Sequence, residues 1–363
     1  MTHQSAEMEY MSRIRKMATR ILGEFGYETV CFQTLQRGMK LWFSRRRLAM
    51  VGYVDTGRYW ITAGSPICNH QDLTEIATEF ELAAHAHEHR VCYVCAERNG
   101  MNQLTAAGRG TMVIGAIPIW NPIHWPQIIA GNARLRYQIA RAKRKCDGII
   151  EITPSHAART PAIRRLIGDW LSQRWLMPMR FLADPFILSD AAAPRRIFTV
   201  HIHTGQLAGL LAASPIPARN GMFIEQIVRL PHAPNGIVEL MIDHAMRNFA
   251  AYRHVTLGLV AGSRFASDHE NPWWARAARY SVRRWGQRLY RFESLENFRA
   301  TLQPEAWEPV YAVSDRPRIV MRDILAACRA MFRFPFLRFK RIEDIVDQCW
   351  SERPVGSDFF HNH

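Results

Sequence analysis

"RLPHAPNGIVELMIDHAM", residues 229–246, reads as the end of a strand, a proline-broken turn and then an amphipathic helix. Ile237, Leu240, Met241, His244, Ala245 and Phe249 recur at helical spacing. Asn235 and Gly236 stand where a cap and a close backbone approach are expected. The first turn of such a helix presents N–H groups that lack intrahelical partners, together with the positive end of the helix dipole. That end suits an anionic or carbonyl group. An ordinary strand-to-helix connection gives the same local pattern, so the neighbouring elements decide.

Upstream, "GMFIEQIVRL" (221–230) is a strand, and "RIFTVHIHTGQLAGLLAASPI" (196–216) is a hairpin turning at Thr204-Gly205. Before these come the short strand "GIIEIT" (148–153) and a helix opened by Thr160-Pro161, with Ile163, Leu166, Ile167, Trp170 and Leu171 on one face. Downstream lie the strand "HVTLGLVAG" (254–262), an Arg/Trp-rich helical region from Asn271 to Tyr290 and a closing strand, "EPVYAV" (308–313). Strand, helix, three antiparallel strands, helix, strand, helix, strand is the order of the GNAT acyltransferase fold. In that fold the two central strands part and leave backbone groups free to hold a carbonyl near the helix start.

The first half carries a similar pattern. "MKLWFSRRRLAMVGYVDTGRYWITAGSPI" (39–67) is an antiparallel meander with turns at Asp55-Thr56-Gly57 and Gly64-Ser65-Pro66. "DLTEIATEFELAAHAHEH" (72–89) is a helix, and "RVCYVCAE" (90–97) and "GTMVIGAIPIW" (110–120) are strands. The expected fold class is α/β with mixed sheets, arranged as two tandem GNAT-like domains. Residues 1–130 form the first domain, 131–147 a basic bridging helix, 148–315 the C-terminal catalytic domain and 316–363 a basic aromatic tail.

Of the 363 residues, 48% are hydrophobic, and 47 Lys and Arg against 32 Asp and Glu give a net charge of +15. Such a field favours polyanionic partners: tRNA, anionic lipid or phosphorylated small molecules. A DNA partner is not expected. In "ARLRYQIARAKRK" (133–145), Leu135, Ile139 and Ala142 form a narrow apolar line, while Arg134, Arg136, Arg141, Lys143, Arg144 and Lys145 crowd the rest without one acid. A solvated linker and a phosphate-contacting helix both fit. The tail "RIVMRDILAACRAMFRFPFLRFKR" (318–341) sets Phe332, Arg333, Phe334, Phe336, Arg338 and Phe339 in a strongly basic context. It suits the interface of an anionic membrane, or packing on the protein's own core.

An odd count of 7 cysteines without framework spacing argues for a reducing compartment, and no segment is apolar enough to span a bilayer. The expected location is cytoplasmic, peripherally associated with the inner face of the membrane. Cys92 and Cys95 are expected on opposite faces of a strand, His85 and His89 lie one helical turn apart, and His201 and His203 alternate on a strand. Without a complementary ligand set, no metal is expected.

The motifs "VRLPHAPNGIVELMI" (228–242), "VTLGLVAGS" (255–263) and "LYRFESLENFRATLQPEAWEPVYAV" (289–313) together resemble the phosphatidylglycerol lysyltransferase C-terminal domain family, the catalytic part of multiple peptide resistance factors. "GAIPIWNPIHWPQIIAGNARLRYQIARAKRKCDGIIEI" (115–152) is similar to the family's soluble branch, and the resemblance covers roughly residues 40–315. It implies transfer of an aminoacyl group from aminoacyl-tRNA to a lipid head-group hydroxyl, with no cofactor. Arg229, Asn235, Gly236 and the Trp307-Glu308-Pro309 triplet match family motifs, and Glu239 stands at an acidic position. Arg299 replaces a common Lys, and Gln226 stands where lysyl-transferring relatives carry Asp.

The resulting assignment makes Arg229, Glu239 and Arg299 catalytic, with Gln226, His232, Asn235, Gly236 and Glu308 at the substrate. Glu225, Glu239 and His232 are the candidate proton acceptors. Strand alternation predicts that Glu225 and Gln226 face opposite ways, with Gln226 in the pocket. Two other functions are compatible with the sequence. One is a CoA- or carrier-protein-dependent N-acyltransferase using an acyl-CoA donor, although Pro231, His232 and Pro234 interrupt the pyrophosphate loop usual in acetyl-CoA enzymes. The other is a non-catalytic tRNA- or lipid-binding module.

Overall fold

A computed structural model of the chain describes residues 3–173, 181–182, 188, 194–277 and 292–332. Helix α1 (His3–Phe25) leads into an antiparallel meander of β1 (Lys40–Phe43), β2 (Met50–Asp55) and β3 (Tyr59–Ala63). Helix α2 (Leu73–Ala86) buries Leu73, Ile76, Ala77, Phe80 and Ala84, the stripe its spacing predicts, and returns the chain to β4 (Arg90–Ala96), parallel to β3. The sequence reading passes directly from β4 to the next strand; the structure inserts α3 (Arg98–Ala106) before β5 (Gly110–Trp120). Helices α4 (Trp125–Gly131) and α5 (Ala133–Lys143) then lead to the second half.

There β6 (Cys146–Ile152), α6 (Pro154–Arg159) and α7 (Pro161–Ser172) precede the antiparallel strands β7 (Arg196–Ile202), β8 (Leu207–Ile216) and β9 (Gly221–Arg229). Helix α8 (Ile237–Asn248) crosses back to β10 (His254–Thr256), parallel to β9. The tail of the fold is β11 (Val260–Ala261), α9 (Phe292–Thr301), β12 (Ala306–Ser314) and α10 (Met321–Phe332). Each half thus repeats an antiparallel meander, a crossover helix and a parallel strand, which gives the tandem GNAT-like architecture.

The halves share one sheet, ordered β1-β2-β3-β4-β12-β5-β10-β9-β8-β7-β6, with β11 paired to β5. The closing strand of the second half, β12, lies between β4 and β5 of the first, while β5 separates β12 from β10. Each half therefore contributes a strand that neighbours the other half's strands. β8 is buried along almost its whole length because both faces are covered. Gly209, Leu211 and Ala213 pack towards α8, whereas Leu210 and Ala212 pack with Ile163, Leu166 and Ile167 of α7.

The expected facing of the two cysteines is corrected. Cys92 and Cys95 join the same apolar cluster, because Cys95 adopts φ +66° at an irregular pairing of β4 with β12. His85 bonds Asp315 at 2.7 Å and His89 meets Asp55 at 3.2 Å, so the two histidines share no ligand site. His203 binds Asp147 and the Arg144 carbonyl. In the tail, α10 docks through Ala326, Ala327 and Ala330 against the core between β3 and β4 and leaves Met321 and Leu325 exposed. Phe332 ends α10, and Arg333, Phe334, Phe336, Arg338 and Phe339 lie outside the described residues, as does 278–290 of the expected Arg/Trp-rich helix. No described helix is long and apolar enough to cross a membrane.

Candidate active site

β9 and β10 pair in parallel only from Gly221 to Phe223 and from His254 to Thr256. Beyond that point β9 runs on to Arg229 along β8, whereas the other chain turns at Gly258, φ +77°, before Val260 pairs with β5. The strands therefore part. Gly258 is needed there because a Cβ would strike the Phe223 ring. Arg299 of α9 holds the far bank: Nη1 donates to the Gly258 carbonyl at 2.7 Å and Nη2 to the Leu257 carbonyl. A planar fork can bridge two successive carbonyls in a way that a point ammonium cannot.

On the α8 side of the sheet lies a cavity of about 440 Å³ lined by Gln138 and Arg141 of α5, Arg229, residues 234–239 and Phe298. Arg229 pairs with Gly209, whose own Cα faces α8, so Arg229 projects to this side. Gly236 is the N-cap of α8 with φ +90°, and no side chain caps the helix. Asn235 is exposed beside the cavity and does not make the cap bond expected of it. Of the first-turn N–H groups, that of Ile237 donates to the Pro234 carbonyl at 3.2 Å, while Val238 and Glu239 line the cavity next to two guanidinium groups. Glu239, half-buried in that turn, supplies the carboxylate of the cavity wall.

The other face of the opening is polar and buried. Ala212 pairs with Gln226 but Ala213 with Ile224, so Glu225 is the extra residue of a β-bulge. The bulge overturns simple alternation. Ile224 faces α8, while Gln226 shares the face of its partner Ala212, and Glu225 turns to Arg195 and Gln33 on that same side. Gln226 is thus on the opposite face of the sheet from Arg229. The Arg195–Glu225 ion pair is almost wholly buried, and Gln33 Nε2 donates to Glu225 Oε2 at 2.6 Å. Burial raises the Glu225 carboxyl, and the Arg195 guanidinium opposes that rise.

Across the opening, two residues beyond the last β9–β10 pair, Ile117 of β5 meets Glu308 of β12. Arg219, from the turn before β9, donates to Glu308 at 3.0 Å and to Glu97 at 2.6 Å. Glu97 follows β4 as the N-cap residue of α3, so one guanidinium ties both halves together. Burial beside Arg219 drives His254 down to about 3, which fixes it as neutral imidazole. Behind Glu97, Glu28 accepts from the N–H groups of Ser65 (2.7 Å) and Glu97 (3.0 Å), and burial with the nearby Glu97 charge raises it to about 7. Trp307 stacks on Phe265, ring centroids 4.4 Å apart.

The structure therefore gathers Arg229, Asn235, Gly236 and Glu239 at the cavity, Gln226 and Glu308 on the opposite face and Arg299 on the strand bank. His232 is exposed outside the cavity lining. Of the basic helix, Arg141 lines the cavity and Lys143 an adjoining cleft of about 670 Å³. Arg136 folds back to donate to the Ile129 carbonyl at 3.0 Å, and Arg134, Arg144 and Lys145 point to solvent. Arg195, Arg219, Glu97, Glu28 and Gln33 carry no local signal in the sequence. Their partners lie 30 to 192 residues away.

The sequence pattern of the family described as phosphatidylglycerol lysyltransferase, C-terminal, matches residues 19–314. No protein with a curated description matches the chain. Among solved structures, the C-terminal domain of a protein assigned as a lysylphosphatidylglycerol synthetase from Agrobacterium fabrum is 18% identical with a TM-score of 0.71, covering 88% of this chain and 96% of that one. L-PGS from Bacillus licheniformis is 16% identical with a TM-score of 0.69, covering 87% and 95%. A conserved protein from Bacteroides thetaiotaomicron aligns with a TM-score of 0.54 at 11% identity, covering 81% and 95%. At these identities the likeness is one of fold.

Proposed function

The chain belongs to the phosphatidylglycerol lysyltransferase C-terminal family, and we propose that it moves an aminoacyl group from aminoacyl-tRNA to a hydroxyl of a phosphatidylglycerol-like head group at a membrane surface. Family membership makes it an aminoacyltransferase acting on lipid. The tRNA donor, the particular acceptor and the residues below constitute the proposal. The observation that carries it is the cavity at the start of α8, where Arg229, Arg141 and the helix N-terminus converge beside the parted strands.

An aminoacyl ester is already activated, so the protein has to orient a hydroxyl, stabilise an oxyanion and move one proton. The ester carbonyl sits in the opening, with its oxygen towards Arg229 and the first-turn N–H groups of α8. The acceptor oxygen bonds to the carbonyl carbon while its proton passes to Glu239. When the tetrahedral anion collapses, the bond to the terminal ribose oxygen breaks and that oxygen takes the proton. Arg299 keeps Leu257 and Gly258 in place as the wall of the opening. The exposed Arg134, Arg144 and Lys145 attract the tRNA phosphates, and the α10 end of the molecule brings the chain to anionic lipid.

The test is incubation of the protein with a mixed aminoacyl-tRNA pool and phosphatidylglycerol vesicles, followed by mass spectrometry of the lipids. An aminoacylated lipid whose appearance is abolished by RNase supports the proposal. A product that forms only with acyl-CoA, or binding without turnover, rejects it.

A further inference from the structure

Because the two halves repeat one order of elements, the start of α2 is the counterpart of the start of α8, and a second cavity, of about 330 Å³, lies there. Among the described residues it shares no wall with the cavity at Arg229. Phe25, Ile67 and Leu73 line it with apolar surface, and Glu24, Glu28 and the hydrogen-bonded pair of His70 and Asn99 (2.6 Å) add polar groups. The electrostatics are reversed. Two guanidinium groups and one carboxylate line the α8 cavity, whereas two carboxylates and, among the described residues, no Lys or Arg line this one.

Glu28 is built into the wall. A Cβ at Gly64, φ +78°, or at Gly100 would run into its carboxyl, so both glycines make room for it. Oε2 accepts the Ser65 N–H, and Oε1 accepts the Ser65 hydroxyl at 2.8 Å together with the Glu97 N–H. These donors fix the carboxyl without neutralising it. The residue is 6% exposed, and among the described residues no cation pairs with it. Arg219, whose guanidinium lies over the adjoining Tyr27 ring, is committed to Glu97 and Glu308. A buried carboxylate is strongly disfavoured unless a proton or a cation neutralises it. Glu24, on the exposed end of α1, adds a second carboxylate to the wall. A metal ion does not fit, since no three His, Cys, Asp or Glu side chains among the described residues converge to hold one. We propose that this cavity binds a small organic cation, a primary ammonium held by Glu28 and Glu24 with a short alkyl stem against Phe25, Ile67 and Leu73. Its volume is at the lower end for small-molecule pockets. The site stands apart from the transfer cavity and does not depend on its chemistry.

The test titrates n-butylammonium into the full chain carrying methyl-labelled Ile and Leu and follows it by NMR, with butyrate and butan-1-ol as anionic and neutral probes of nearly the same stem. The Ile67 and Leu73 methyls should shift saturably with n-butylammonium, with a dissociation constant at least tenfold below those of the other two probes. Glu28→Gln should raise that constant at least threefold, and so should Glu24→Gln, which changes an exposed side chain and leaves the fold in place. Equal affinity for butyrate or butan-1-ol, shifts that do not saturate, no shift at either methyl, or full affinity in either folded variant overturns the proposal.

Discussion

Gly236 rests directly on the backbone of Gln138, so closely that a Cβ at residue 236 would collide with the Gln138 carbonyl oxygen. Gly236 also has φ +90°, a conformation that costs an L-residue about 1–2 kcal/mol before any clash is counted. Gly236→Ala should therefore push α5 away from α8 and open the cavity wall. The expected result is a loss of about 2 kcal/mol or more in denaturant unfolding, accompanied by a fall in turnover. An unchanged midpoint with full activity would mean that the α5–α8 contact has no role.

Arg229 and Arg299 should separate chemistry from architecture. Arg229 is exposed to the cavity, and among the described residues its hydrogen bonds are long ones, 3.4 Å, to the carbonyls of Leu230 and Pro231. Arg229→Ala should lower kcat by about 10²- to 10³-fold with stability changed by less than about 0.5 kcal/mol. Arg299→Lys cannot bridge both carbonyls and should lose about 1–2 kcal/mol of stability together with activity. Full turnover in both variants would place the reacting centre elsewhere.

The Arg195–Glu225 pair should show the asymmetry of buried ions. Arg195→Met leaves Glu225 buried without its counter-charge and should cost about 3–5 kcal/mol, whereas Arg195→Met combined with Glu225→Leu should recover much of that loss. Urea denaturation of the two single variants and the double variant gives the coupling directly. An additive double variant would contradict the pairing.

Stability should also depend on the protonation of Glu28. Its carboxyl is raised to about 7 in the folded protein, so the native state binds the proton more tightly than the unfolded chain does. The sign follows from linkage: this contribution is fully present below the ordinary carboxylate range and is lost as pH rises through about 7, a change on the order of 3 kcal/mol. Thermal unfolding between pH 5 and 8 should show the decline, and Glu28→Gln should flatten it. An equal slope in the variant would assign the dependence to other groups.

Much of the architecture is legible in the sequence because each element carries its own periodicity. The α7 and α8 stripes and the Thr204-Gly205 hairpin need only near neighbours to be recognised. The bulge at Glu225 is not legible, since it is a mismatch between two strands and inverts the facing of every later residue in β9, Gln226 included. The Arg219 bridge is hidden for the same reason: an arginine in a short turn has no pattern until folding brings Glu97 and Glu308 to it. The cap is a subtler case. Asn235-Gly236 marks the helix start correctly, yet the left-handed glycine itself supplies the opening and the asparagine side chain stays outside.

The interleaving of β5 and β12 at the centre of the sheet bears on biosynthesis. Until residues 306–314 have emerged from the ribosome, β4 and β5 lack the neighbour that belongs between them, and two long apolar edges stand open. The nascent chain must keep those edges apart until Ser314 has been translated, so closure of the sheet is a late, long-range step rather than a domain-by-domain one. Expression yield in cells should accordingly depend on chaperone supply and elongation rate more steeply than the native protein's own stability would suggest.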